Sequence, residues 1–153
     1  MIVKKPFLLI LYNLPGLPLA EGYTRLMKHL GFTNLTVLEA LSLMWMEEPN
    51  WVLGILAFLG VSTWETLLVY YSTKFWGTDY LPLKGMLIVM TCQAIIFSLY
   101  GILGGQSQLA QSVTGNYVHA SGAAFGGLLV GYILKKFIVK PQQEKEEGFN
   151  NNR

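Results

Sequence analysis

Apolar positions along this chain come in long blocks, not in strict alternation, and the blocks are of helical length. Trp51 to Tyr71 is 21 residues with a single charge, Glu65. Gly85 to Gly105 has no charge, and neither has Asn116 to Leu134. A helix needs about 20 apolar residues to cross a bilayer core of about 30 Å. Each block is therefore read as a membrane span. The flanks agree. Pro49 precedes the first block and suits a helix start. Trp51, Tyr70 and Tyr71 are placed as interfacial aromatics, and Lys84 can extend toward the headgroups. Lys135, Lys136 and Lys140 close the last block as a stop signal.

The first 48 residues are less regular. Pro6 to Ala20 is apolar but interrupted by Pro15, Gly16 and Pro18. Glu21 and Arg25 follow at i,i+4 spacing, a favourable helical pair. A helix continuing to His29 spans with a kink. Thr36 and Glu39 then have capping-box spacing. The apolar positions 37, 38, 41, 44 and 45 share one helical face, with Glu39 and Ser42 on another, which predicts a short amphipathic helix in the interface. The competing arrangement makes residues 1–32 interfacial and Leu35–Met46 a short span. A cleavable leader is a weaker reading of the N-terminus, because Pro18 would fall where a small residue is wanted.

The expected fold is thus all-α: an integral membrane helical bundle of about four transmembrane helices plus one interfacial helix. The spans are about 6–29, 51–71, 85–105 and 116–136, and the interfacial helix is about 36–47. Residues 1–140 form one domain, and 141–153 form a disordered cytoplasmic tail. Composition sharpens this. Hydrophobic types are 52% of the 153 residues and charged types 13%, against about 25% charged in soluble domains. From Gly85 to Leu134 there are 50 residues without Asp, Glu, Lys or Arg. One cysteine, Cys92, excludes a disulfide scaffold, and a net charge of +2 gives no basic face for nucleic acid. Lys and Arg favour the cytoplasmic side. Lys4, Lys5, Lys74, Lys84 and the lysines after Leu134 put both termini there, in a cell membrane. Arg25 and Lys28 are the misfits, since they approach the outer face.

Candidate chemistry is sparse. Glu65 is the sharpest residue, because a charge at mid-membrane costs at least about 2.5 kcal/mol and must be neutralised, paired or hydrated. By helical rise it lies about 9 Å from the inner end of its span and Gln93 about 12 Å from the inner end of the next. Gln93 or Thr91 is the expected partner, and the three outline an intramembrane polar or ion pathway. Small residues recur on the last span, as Ala123, Gly127 and Gly131 and as Gly122 and Gly126. Gly101 with Gly105 repeats the pattern on the third span. Such rows let helices pack closely, within one chain or between chains. His119, His29 and Tyr100 fall near the outer end. The two histidines are haem-ligand candidates, and His119 with Tyr100 and Tyr117 could line a quinone pocket. Motifs of hydrolases, metalloproteases and nucleotide enzymes are absent, so no catalytic residue and no metal site is expected, and no cofactor is called for.

The stretches FTNLTVLEALSLMWMEEPNW and NYVHASGAAFGGLLVGYILKK resemble small four-span membrane proteins of Gram-positive spore-formers of the YqhR-like kind. The likeness is one of layout: a first span, a short helix, a turn with Pro49, three further spans and a glycine-rich last helix. It implies a bacterial cytoplasmic membrane and no activity. The first functional expectation is a non-catalytic subunit that packs with itself or with other membrane subunits. The second is a channel or proton-coupled transporter component using Glu65 and Gln93. The third is a haem or quinone subunit of an electron-transfer complex.

Overall fold

A computed structural model describes residues 13–103 and 111–139, with side chains of 100–103 left aside. Among the described residues all regular structure is helical: α1 (Gly16–His29), α2 (Val37–Ser42), α3 (Trp51–Trp76), α4 (Leu81–Leu103) and α5 (Val113–Leu134), the last continued by a π turn over Lys135–Val139. The helices α3, α4 and α5 are long and apolar enough to cross a membrane.

These three helices start and stop for local reasons. The Asn50 side chain accepts from Val52 N at 3.0 Å and Leu53 N at 3.1 Å, satisfying two orphan donors at the start of α3. α3 runs on to Trp76 instead of ending at Tyr71. It stops at Gly77, whose φ of 69° is left-handed. α4 begins at Leu81, ahead of the expected Gly85. Lys84 then reaches back across the link and donates to the carbonyls of Trp76 and Gly77. Its ammonium thus caps the negative end of α3. Ser112 caps α5, accepting from Gly115 N at 3.1 Å.

Among the described residues, α4 and α5 share the most extensive contact. Backbone meets backbone there. A Cβ placed on Gly127 would lie 2.5 Å from the Gly85 carbonyl oxygen and 2.7 Å from the Met86 Cα. One placed on Gly131 would meet the Leu81 carbonyl and lie 2.6 Å from the Pro82 Cα. Lipid provides no hydrophobic drive between helices, so this closeness is what holds the pair. Val69, Leu81, Val89 and Leu134 fill the core beside it.

The N-terminal third differs from expectation in two ways. The expected first span, about 6–29, is described only from residue 13 on, and the observed helix α1 has 14 residues. At about 1.5 Å per residue it rises about 21 Å, short of a bilayer core. The interfacial helix expected over 36–47 is a six-residue helix sunk into the protein. Ala40 and Ser42 are both 0% exposed, so Ser42 does not lie on a wet face. Its hydroxyl donates to Glu39 O at 2.8 Å and accepts from Asn50 N at 3.0 Å. Gly54 of α3 lets the Leu38 backbone come into contact.

The donors at the start of α2 are satisfied by side chains. Val37 N donates to Thr24 Oγ1 at 3.1 Å, and Leu38 N donates to Glu21 Oε2 at 3.2 Å. Thr36 and Glu39 form the reciprocal capping box. Arg25 pairs with Glu21 at 2.8 Å, and Lys28 pairs with Glu39 at 2.7 Å. Of the two cations that fit the charge rule poorly, Lys28 thus ties α1 to α2, while Arg25 pairs within α1 with the carboxylate that reaches Leu38 N.

Candidate functional site

The middle of α3 carries a polar stripe. Ser62, Glu65 and Thr66 sit at i, i+3 and i+4, which places them on one helical face. That face turns inward: Glu65 is 6% exposed and Thr66 is buried. Thr66 Oγ1 donates to Asn13 Oδ1 at 2.8 Å, and Asn13 Nδ2 donates to Ser62 O at 3.2 Å. The segment ahead of α1 is thereby fastened to the middle of α3. One turn away, Gln93 Nε2 of α4 donates to Glu65 Oε1 at 3.3 Å. Among the described residues Gln93 is the only hydrogen-bond partner of the Glu65 carboxyl, and no cation pairs with it.

These groups face a cavity of about 100 Å³ enclosed by α1, α3, α4 and α5. Ser62, Glu65 and Gln93 line one part of its wall, and Thr24 and His119 another. Phe58, Val89, Val130 and Ile133 make the rest largely apolar. His119 is held in place. Its Nε2 lies 3.2 Å from Gln111 Nε2, and Thr33 Oγ1 donates to Gln111 Oε1 at 2.8 Å. Phe97 packs on the ring with centroids 5.6 Å apart. Gln111 thus bridges the loop after α1 to the start of α5.

Other sequence candidates fall elsewhere. Thr91 is exposed on the outer face of α4 and does not join Glu65. His29 is exposed at the end of α1 and is not part of the cavity wall that holds His119. His119 Nε2 is engaged by Gln111. Tyr117 is exposed and lines a separate hollow with Tyr23 and Met27. The side chain of Tyr100, and Gly101 and Gly105 as a packing row, lie outside the described residues, as does the glycine-rich stretch 104–108. Among the described residues no group of three or more His, Cys, Asp or Glu gathers to hold a metal.

The two small-residue rows of α5 have separate roles. Ala123, Gly127 and Gly131 are buried, and the two glycines meet α4. A Cβ placed on Gly122 would lie 3.6 Å from the Tyr23 ring, next to the 2.7 Å hydrogen bond between Tyr23 and Ser121. Gly126 lines the cavity and has no atom within 4 Å of where a Cβ would be.

Sequence reasoning passed over Asn13, Thr24, Ser62 and Gln111. The Ser62–Glu65–Thr66 spacing in an otherwise oily helix was the available signal for Ser62. Nothing local marks the other three, since the partners that tie them to other parts of the chain lie 13 to 78 residues away.

No protein family, curated protein or solved structure matches the chain. The site is therefore read from its own chemistry. An ionised carboxylate so deeply buried, with one carboxamide hydrogen bond and no cation, is poorly compensated. The arrangement calls for a bound proton or another cation at Glu65.

Proposed function

We propose that this chain is a small multi-pass protein of the cell membrane and the proton-handling component of a transport path, with Glu65 as the group that takes up and releases the proton. One observation carries the reading: the Glu65 carboxyl is almost wholly buried on a polar-edged cavity, and one hydrogen bond from Gln93 holds it. Ionisable side chains inside membrane bundles mark ion and proton pathways. The role of Gln93 is to orient the carboxyl and to stabilise it in either protonation state, since a carboxamide both donates and accepts. α1 completes the bundle as a fourth membrane-embedded element. Lys74, Lys84, Lys135 and Lys136 mark the cytoplasmic end.

A purely packing role draws less support. The glycines that would serve an intermolecular interface, Gly127 and Gly131, are used within the chain against α4. No step of the reading requires a catalytic residue.

The test is proton flux into vesicles reconstituted with the purified protein, read by an internal pH dye under an imposed potential. Wild type should carry a flux that Glu65→Gln abolishes, while the thermal unfolding midpoint of the variant matches wild type. Equal flux in wild type and Glu65→Gln would overturn the reading.

A further inference from the structure

The cavity wall between α1 and α5 is built of small residues. α1 and α5 pass each other with small residues on both sides, Gly16 and Ala20 facing Gly122 and Gly126. A Cβ at Gly16 or at Gly126 would meet no atom within 4 Å. The same four residues, with Leu129, also line a second hollow of about 170 Å³ on the other side of this slot. That hollow is apolar and carries Leu19 and Phe125, both strongly exposed. The two spaces thus share this wall of small residues between the helices. The outer one faces the hydrocarbon, and the inner one ends at Glu65 and Gln93.

We propose that this slot admits a lipophilic monocation from the bilayer, a single-chain alkylamine, whose ammonium pairs with Glu65 while its chain lies between α1 and α5. The inference deepens the proton reading and rests on Glu65 as the charge-handling group. Three features select the ligand. The carboxyl has no cation partner among the described residues, so an ammonium supplies the missing charge. The wall around it is mostly apolar, formed by residues such as Phe58, Val130 and Ile133, which suits an alkyl chain and disfavours a hydrated metal ion. The slot is lined by glycine and alanine, which suits one extended chain. Proton and amine then compete for one carboxyl: amine binding releases the proton from Glu65, and amine departure takes one up.

The experiment titrates n-octylamine into the full chain in maltoside micelles near pH 7, against micelles alone, with n-octanol as the uncharged ligand of equal length. Wild type should bind octylamine at least about ten-fold tighter than octanol. Glu65→Gln should erase that preference, and Gly126→Leu, which fills the slot without touching the carboxyl, should weaken both ligands. Equal affinity for the two ligands in wild type, an unchanged preference in Glu65→Gln, or no binding of either overturns the proposal. Unfolding midpoints of both variants show that the fold persists. If octylamine fails to bind while Glu65→Gln still abolishes proton flux, the amine proposal falls and the proton reading stands. If octylamine binds and no flux is seen, the proton reading falls alone.

Discussion

Lys28 Nζ lies 2.8 Å from Oε1 and 2.7 Å from Oε2 of Glu39, a two-oxygen contact that joins the last turn of α1 to the first turn of α2. The same carboxylate accepts from Thr36 N at 2.8 Å. One side chain therefore closes both the capping box and the link between helices. This link matters for the cavity, because α1 and α2 form its wall on the side of Thr24 and Val37.

Glu39 makes this link sensitive to acid. Burial pushes its carboxyl up, but the hydrogen bonds from Lys28 and from the Thr36 backbone outweigh burial and hold it below the ordinary glutamate value of 4.5. A carboxyl depressed in the folded state contributes stability that is complete above its unfolded value and is lost as pH falls through the folded one. Replacing Glu39→Ala should cost about 1 kcal/mol near neutral pH, the usual worth of a cap with a half-exposed ion pair. The gap between wild type and variant in thermal unfolding should stay constant down to about pH 5 and then narrow through the acid range. A gap that is independent of pH would show that the charge of Glu39 contributes nothing.

Neighbouring glycines on α5 should respond in opposite ways. Gly127→Leu must drive the backbones of α4 and α5 apart, since a Cβ there would lie 2.5 Å from the Gly85 carbonyl oxygen. A loss of about 3 kcal/mol or more is expected. Gly126→Ala enters open space and should change stability by no more than about 0.5 kcal/mol. Equilibrium unfolding in mixed micelles separates the two cases. Comparable losses at both positions would mean that the helix pair is not held by backbone approach.

Lys84→Met should release the end of α3. The ammonium bonds the carbonyls of Trp76 and Gly77, and such a contact at a helix C-terminus is worth about 0.5 to 1 kcal/mol. The change is local, so hydrogen exchange is the right measurement. Amides from Thr73 to Trp76 should exchange faster by a few-fold, while those near Glu65 keep their protection. Unchanged exchange in the last turn would remove Lys84 as the cap.

Much of the architecture is written in one dimension. Long uncharged blocks exclude a soluble fold, because a water-exposed surface needs polar cover. They yield the three helices able to cross a membrane, with ends displaced by a few residues where Lys84 and Gly77 set the link between α3 and α4. The capping box at Thr36 and Glu39 was legible because both partners lie within one turn. Helical rise alone gives Glu65 and Gln93 similar depths.

What the chain order left open is which faces meet. Periodicity says that Gly122 and Gly126 share one row and Gly127 and Gly131 another. It does not say that the second row meets α4 and the first meets α1 and the cavity. Nor does it place the short helix inside the protein, where Thr24 and Glu21 serve its first turn from 13 and 17 residues away. The physical reason is the solvent. In water, burial of the oily face orients a helix. In lipid every face is already in an oily medium, so rotation is decided by where small residues allow contact and where buried polar groups find partners. Those conditions join residues from different helices, and only the assembled bundle satisfies them together.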